Sequence, residues 1–272
     1  MGPAITLKQF SLTIGDNTLL KPFDLTLAAG KLHLLTGPNG AGKSSLLKSI
    51  LGLMPHSGEV TLHWPSVPEE KETHAGLIIP AYIPQLATFD ATLPMTIEDY
   101  LYASTQSRAF FRKKTPAQQL QLNQLMQQVG LADKAQRKLG QLSGGERQRL
   151  LFARALAQNS SFWLLDEPMT GLDQQAQQQI ESMILRLKKH GCTLIMVHHD
   201  HDFVRRHADN VVVINGGLEA WGSPEKIYGL PRITVDLSAP AYSTVEPPAT
   251  TRAASVQQPI SQQFTAAEGA AL

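Results

Sequence analysis

A glycine-rich segment at residues 37–44, with the sequence GPNGAGKS, constrains this chain more than any other part of it. The segment follows a short apolar run at residues 32–35 and opens a pattern with helical spacing that continues to Leu51. Glycines in such a turn let backbone N–H groups surround an anion, and the start of a helix adds favourable positive potential. A chance glycine-rich turn would not also carry lysine and serine between a strand and a helix. The segment therefore predicts a phosphate-binding loop.

Two side chains of this loop indicate a nucleoside triphosphate rather than a simple phosphate. Lys43 is predicted to bridge the β- and γ-phosphate oxygens, and the Ser44 hydroxyl is predicted to hold Mg²⁺. The residues predicted to bind the nucleotide are Gly37, Pro38, Asn39, Gly40, Ala41, Gly42, Lys43, Ser44 and Ser45.

A second apolar run, at residues 162–165, ends in Asp166 and Glu167. The carboxyl ends of parallel strands meet at one edge of a sheet, so both acids should emerge beside the phosphate loop. We expect Asp166 to orient the Mg²⁺ shell and Glu167 to polarise the water that attacks the γ-phosphate. Taken alone, an acidic pair after a strand is more often an ordinary turn. The phosphate loop upstream makes the functional interpretation the better one.

The spacing of apolar residues predicts an α/β fold of the P-loop NTPase type, with a mainly parallel sheet covered on both faces. Alternation over residues 5–27 around Gly15 predicts an N-terminal antiparallel β subdomain. Helical spacing predicts an inserted α-helical subdomain at about residues 90–160. Further strands are predicted at residues 60–64, 76–83, 193–197 and 211–214.

Composition sets the outer limits of the fold. Residues 1–230 are predicted to form the nucleotide-binding domain, and residues 231–272, rich in Pro, Ala, Ser, Thr and Gln, to form a flexible tail.

The 24 basic residues nearly cancel the 23 acidic ones, which argues against a nucleic-acid partner. The longest apolar runs are strand-length, too short to span a membrane. The single cysteine, Cys192, excludes an internal disulfide and fits a reducing compartment.

A second glycine-bearing helix start lies between the two motifs, at residues 142–148 with the sequence LSGGERQ. It resembles the signature motif of the ATP-binding-cassette ATPase family. In that family two cassettes sandwich two ATP molecules, and the signature of one copy closes on the phosphate loop of the other. The resemblance implies that Ser143, Gly144 and Gly145 contact ATP held by Lys43 of a second copy of this chain, through backbone N–H groups and a helix N-terminus.

The other family positions follow in order, although each alone would more often be structural. Gln85 resembles the glutamine that senses Mg²⁺ and the attacking water, which adds it to Ser44 and Asp166 as a metal ligand. Asp173, after Gly171, resembles the residue of the loop that crosses the dimer interface. His199 resembles the histidine that contacts the γ-phosphate. His198 is the competing choice, and His199 is preferred because it directly precedes an aspartate, as in the family pattern.

One position departs from the family. An aromatic residue that stacks on adenine usually precedes Gly15, and this chain has Ile14 there. The loss of a base stack, worth about 1–3 kcal/mol, predicts weaker discrimination among nucleotides. Phe10 is the alternative stacking residue if the strand register slips.

Residues 82–85 and 91–97 most resemble the ATPases of importers for divalent metals such as zinc and manganese. A siderophore or haem importer is the alternative. The resemblance implies integral membrane permease subunits as partners, an indirect link to a substrate-binding protein, and a peripheral position at the cytoplasmic face of the inner membrane. Two rival classes are a soluble cassette acting on DNA or the ribosome, and a nucleotide switch that does not hydrolyse. The chain has neither a second cassette nor a long coiled-coil insertion, and it keeps both Glu167 and His199.

Overall fold

The computed structural model describes residues 1–65, 80–86, 93–105 and 114–229. Its strands are β1 Ala4–Ile14, β2 Asn17–Leu27, β3 Leu32–Thr36, β4 Ser57–His63, β5 Ala81–Ile83, β6 Phe162–Asp166, β7 Thr193–Val197, β8 Asn210–Ile214 and β9 Leu218–Gly222. Its α-helices are α1 Lys43–Ile50, α2 Ile97–Thr105, α3 Pro116–Gln128, α4 Gly144–Ala157, α5 Gln174–Lys189, α6 His201–His207 and α7 Pro224–Tyr228.

The predicted N-terminal hairpin is present in a three-stranded antiparallel sheet of order β2-β1-β4. Strands β1 and β2 pair from Ile5 opposite Leu27 to Ile14 opposite Asn17. Because side chains alternate across a strand, Ile5, Leu7 and Leu27 share one face, and all three are buried.

The larger sheet has six strands in the order β5-β6-β7-β3-β8-β9. Five of them are parallel, as predicted, and β9 runs antiparallel to β8. Every residue of β6 and β7 is buried, as expected for strands covered on both faces. In this order β7 lies between β3 and β6. Strand β3 leads into the phosphate loop, and β6 ends at the acidic pair.

Two apolar clusters fill the two sides of this sheet. Phe162 and Leu164 of β6 pack with α1 and the antiparallel sheet, whereas Trp163 and Leu165 pack with the helices. Asp166 follows in the alternation of Phe162 and Leu164, so its side chain faces the α1 side. The strand period therefore directs this carboxylate toward the phosphate loop.

Among the described residues of the predicted α-helical range, the α-helices are α2, α3 and α4. They pack on one another, and α4 also contacts β5 and α5. None of the helices within the described ranges combines the length and the apolar character of a bilayer-spanning segment. Residues 76–79 of one predicted strand and the predicted tail at residues 231–272 lie outside the described residues, and the domain limits stay a prediction.

Candidate active site

The phosphate loop joins β3 to α1, and its backbone depends on glycine. Gly37 has a φ of 139°, and a Cβ at this position would lie 1.9 Å from the carbonyl oxygen of Ile214. Gly42 precedes α1 with a φ of 98°. No other residue adopts these conformations without strain, so the glycines fix the path of the loop.

Lys43 begins α1 and reaches back across the loop. Its Nζ donates to the carbonyl oxygens of Gly37 at 2.9 Å and Pro38 at 2.8 Å. Burial lowers the pKa of Lys43, while the nearby carboxylates of Glu167 and Asp166 oppose this shift. These hydrogen bonds hold the ammonium group against the backbone of the phosphate loop. The negative charges of Glu167 and Asp166 are near enough to affect its pKa.

Ser44 and Asp166 meet between α1 and β6. The Ser44 Oγ donates to Asp166 Oδ1 at 2.8 Å, and Asp166 is almost fully buried. Burial raises the pKa of Asp166, and the hydrogen bond from Ser44 opposes the rise. A hydroxyl and a carboxylate oxygen side by side are ligands that Mg²⁺ prefers.

Glu167 lies at the centre of a cluster of hydrogen-bond donors. Gln85 Nε2 donates to its Oε2 at 3.0 Å, Thr170 Oγ1 donates to the same oxygen at 3.1 Å, and His199 Nε2 lies 2.9 Å from its Oε1. Burial would raise the pKa of Glu167, but the hydrogen bonds from His199 and Thr170 and the charges of His199 and Lys43 together lower it. The carboxylate is therefore ionised at neutral pH and oriented at both oxygens.

The two adjacent histidines have different surroundings. His199 is partly exposed and reaches Glu167, whereas the His198 ring lies edge-on to Phe203 with 4.6 Å between the ring centroids. Burial lowers the pKa of His198. The structure thus brings His199, and not His198, to the acidic pair.

The second helix start forms a complete capping box. Ser143 precedes α4, its Oγ accepts a hydrogen bond from the Glu146 N–H at 3.3 Å, and Glu146 Oε2 accepts one from the Ser143 N–H at 2.8 Å. Burial would raise the pKa of Glu146, but Lys134, at 2.8 Å, and the Ser143 N–H lower it to about 2. The N–H groups of the first helical turn have no partner within a helix, and Ser143 and Gly144 are exposed.

Asp173 caps α5, and its Oδ1 accepts a hydrogen bond from the Ala176 N–H at 2.8 Å. Gln177 of α5 stabilises the loop that precedes this helix. Its Nε2 donates to the carbonyl oxygens of Leu172 at 3.1 Å and Met169 at 3.4 Å. Sequence reasoning did not select Thr170 or Gln177. The available signal for Thr170 was its place three residues after the acid, in the turn where its N–H donates to the Glu167 carbonyl oxygen at 3.2 Å.

The prediction that Phe10 could stack on the base in place of Ile14 is wrong. The Phe10 side chain is fully buried between Phe23, 5.6 Å away, and His56, 5.2 Å away, measured between ring centroids. No face of this ring is open to a ligand. Ile14, at the end of β1, is 51% exposed.

Comparison with known proteins shows which family the chain belongs to. A profile described as ABC transporter matches residues 20–170. The zinc import ATP-binding protein ZnuC of Hydrogenovibrio crunogenus is 37% identical over 84% of this chain and 85% of its own length. The manganese transport system ATP-binding protein MntB of Listeria innocua is 36% identical over 84% of this chain and 90% of its own length.

Two solved structures have the same fold. The structure of an ATP-binding subunit of an ABC transporter has a TM-score of 0.68 at 22% identity, covering 83% of this chain and 92% of that one. A nucleotide-free ATP-binding cassette from an ABC transporter has a TM-score of 0.64 at 24% identity, covering 84% and 94%. The chain belongs to the ABC transporter family, as an ATP-binding subunit with the ATPase activity of that family. The resemblance seen in its motifs is thereby confirmed.

Proposed function

We propose that this chain powers the import of a divalent metal ion, zinc or manganese, through separate membrane subunits. The observation that carries the proposal is the set of relatives named for zinc or manganese transport, which are 32–37% identical over 81–84% of the chain. A siderophore or haem importer remains the alternative from the sequence.

ATP binding is assigned to the phosphate loop, residues 37–45. The glycine backbone and Lys43 hold the phosphates, and Mg²⁺ would be held by Ser44 and Asp166 with Gln85 as a further ligand. The donor set fits this ion, because the Ser44 hydroxyl and the Asp166 carboxylate lie 2.8 Å apart and offer only oxygen. When bound, Mg²⁺ neutralises charge on the β- and γ-phosphates.

Hydrolysis is assigned to Glu167 as the general base. A water oxygen bonds to the γ-phosphorus, the bond to the oxygen bridging the β- and γ-phosphates breaks, and Glu167 accepts the proton of the water. The Glu167 carboxylate is ionised at neutral pH, because its pKa is lowered from the ordinary value, and it can therefore accept this proton. With ATP bound, His199 would contact the γ-phosphate instead of Glu167, and Gln85 would serve as a ligand of Mg²⁺ and contact the water.

The active form is a head-to-tail dimer of this chain. The exposed start of α4 at Ser143 and Gly144, together with Gly145, would cap the γ-phosphate held by Lys43 of the second copy. A Cβ at Gly144 would meet no atom within 4 Å, so a ligand could approach the helix closely there. Asp173 would lie in the loop that crosses the same interface.

Permease subunits are the proposed membrane partners, with the chain at the cytoplasmic face of the inner membrane and a substrate-binding protein linked only through them. Two exposed apolar side chains support a contact near the start of the α-helical part, Leu86 at 73% and Leu93 at 44% exposed.

ATP binding closes the dimer, and hydrolysis reopens it. The closed and open states present different surfaces to the permease.

Metal accumulation in cells tests the transported substrate. A strain lacking the chain is compared with strains that carry the wild type, Glu167→Gln, or Glu59→Gln on the exposed face of β4. We expect loss of zinc or manganese uptake without the chain and with Glu167→Gln, and full uptake with the wild type and Glu59→Gln. A defect confined to iron supplied as haem or a siderophore would contradict the proposal.

A further inference from the structure

The turn after β6 contains a side chain that has no part in the mechanism described so far. Thr170 contacts Glu167 twice: its Oγ1 donates to Oε2 at 3.1 Å, and its N–H donates to the main-chain carbonyl oxygen at 3.2 Å. Threonine has a stiff χ1, so its hydroxyl is a well-defined donor. Both the backbone and the carboxylate of Glu167 are therefore tied to one residue.

Glu167 requires such support because its conformation is unfavourable. Its φ is 47°, a left-handed value that is costly for a residue with a Cβ. A glutamate side chain also rotates about three bonds, and a general base must be held within about 0.5 Å of its productive position. Residues that hold it contribute to the rate without touching the substrate.

The three donors to the carboxylate differ in what else they are expected to do. Gln85 and His199 belong to the segments after β5 and β7, and both are assigned to leave Glu167 when ATP and Mg²⁺ bind. Thr170 lies in the same turn as Glu167. That turn is braced by Gln177, which donates to carbonyl oxygens of the loop at 3.1 and 3.4 Å. The Thr170 contact joins two residues of one turn, so it does not depend on where the segments that carry Gln85 and His199 lie.

We propose that Thr170 is a positioning residue for ATP hydrolysis, which fixes the Glu167 carboxylate toward the attacking water after Gln85 and His199 have turned to the nucleotide. This inference rests on the role proposed for Glu167. It assigns to Thr170 an effect on the chemical step and none on ATP binding.

The test compares variants of the full-length chain assembled with its membrane subunits. Thr170→Val removes the hydroxyl at nearly constant shape and should lower kcat about tenfold, the effect of one hydrogen bond to a charged group, with KM for ATP changed less than about twofold. Thr170→Ser keeps the donor and should restore kcat to within about twofold of the wild type. Thr170→Ala is measured beside Thr170→Val, in case the added methyl group prevents folding, and should show the same fall.

The matched control is Thr61→Val. Thr61 Oγ1 donates to Glu59 Oε1 at 2.9 Å on β4, so this substitution removes the same kind of hydrogen bond outside the active site, and kcat should not change. In a Glu167→Gln background, Thr170→Val should cause no further fall in kcat.

Four results would bear against the proposals. With an active wild type, an unchanged kcat in Thr170→Val and Thr170→Ala would overturn the inference, and so would equal losses in Thr170→Ser and Thr170→Val. An inactive wild type, or undiminished turnover in Glu167→Gln, would instead overturn the role of Glu167 itself.

Discussion

The Ser44 hydroxyl donates to the Asp166 carboxylate at 2.8 Å and so joins the first turn of α1 to the last residue of β6. The two residues are 122 positions apart in the chain. They meet because β3 and β6 both flank β7, and because the alternation along β6 turns Asp166 to the α1 side. The proposed cation site therefore depends on sheet order and strand period together.

Removal of the Ser44 hydroxyl should weaken the response to Mg²⁺. We expect Ser44→Ala to bind ATP without metal as the wild type does, and to need at least tenfold more Mg²⁺ for half-maximal hydrolysis, as follows from the loss of about 1.5 kcal/mol or more of cation contact. Titration of ATPase activity with Mg²⁺ measures this. Ser49→Ala, on the same helix, is the control, since the Ser49 hydroxyl has no partner in the part of the chain that the structure describes. An unaltered Mg²⁺ requirement in Ser44→Ala would remove this residue from the site.

Glu167→Gln should slow hydrolysis by about 10²–10⁴ fold and leave ATP affinity unchanged, because glutamine keeps the shape of the side chain but accepts protons poorly. Phosphate release and equilibrium nucleotide binding are measured on the same preparation, with Glu59→Gln as the control. Turnover at the wild-type rate in Glu167→Gln would exclude a general-base role.

Ile14 should leave base recognition weak. The wild type is expected to bind ATP and GTP with similar affinity, and Ile14→Tyr should tighten ATP binding about 5- to 160-fold, the value of one base stack of about 1–3 kcal/mol. Competition between nucleotides for the binding site measures both. A wild type that strongly prefers adenine would show that another residue reads the base.

Glu146 should contribute stability that depends on pH. Its pKa is lowered from 4.5 to about 2 in the folded chain, so its contribution is fully present above pH 4.5 and is lost as the pH falls toward 2. Glu146→Gln should lower the free energy of unfolding by up to about 3 kcal/mol at pH 7, and the difference from the wild type should shrink between pH 4.5 and 2. Denaturant unfolding across this range measures the effect, with Glu59→Gln as the control. A difference that does not change with pH would mean that packing, not charge, is responsible.

Much of the fold could be predicted from the sequence because its strongest signals are local. The apolar runs of β6 and β7 and the glycines around Lys43 each determine a short piece of structure, and the alternation of strands with helical segments predicts a parallel sheet. The order of the strands within the sheet was not predicted. Strand β9 was not predicted. It is a short edge strand of five residues, two of them exposed, so it lacks the continuous apolar run that marked its neighbours.

The site was predicted less completely because its contacts join distant segments. The place of Thr170 three residues after Glu167 is a weak local signal, and its hydrogen bond to the carboxylate becomes visible only in the folded chain. Phe10 had the right chemistry for base stacking, but its burial against Phe23 and His56 depends on the pairing of β1 with other strands.

The head-to-tail dimer can be tested by measuring the mass of the Glu167→Gln variant in the presence of ATP and Mg²⁺. Light scattering should show a chain that doubles its mass when ATP is added, and Ser143→Arg or Lys43→Ala in the same background should abolish the doubling. A variant that binds ATP yet stays monomeric, even with its membrane subunits supplied, would contradict the account.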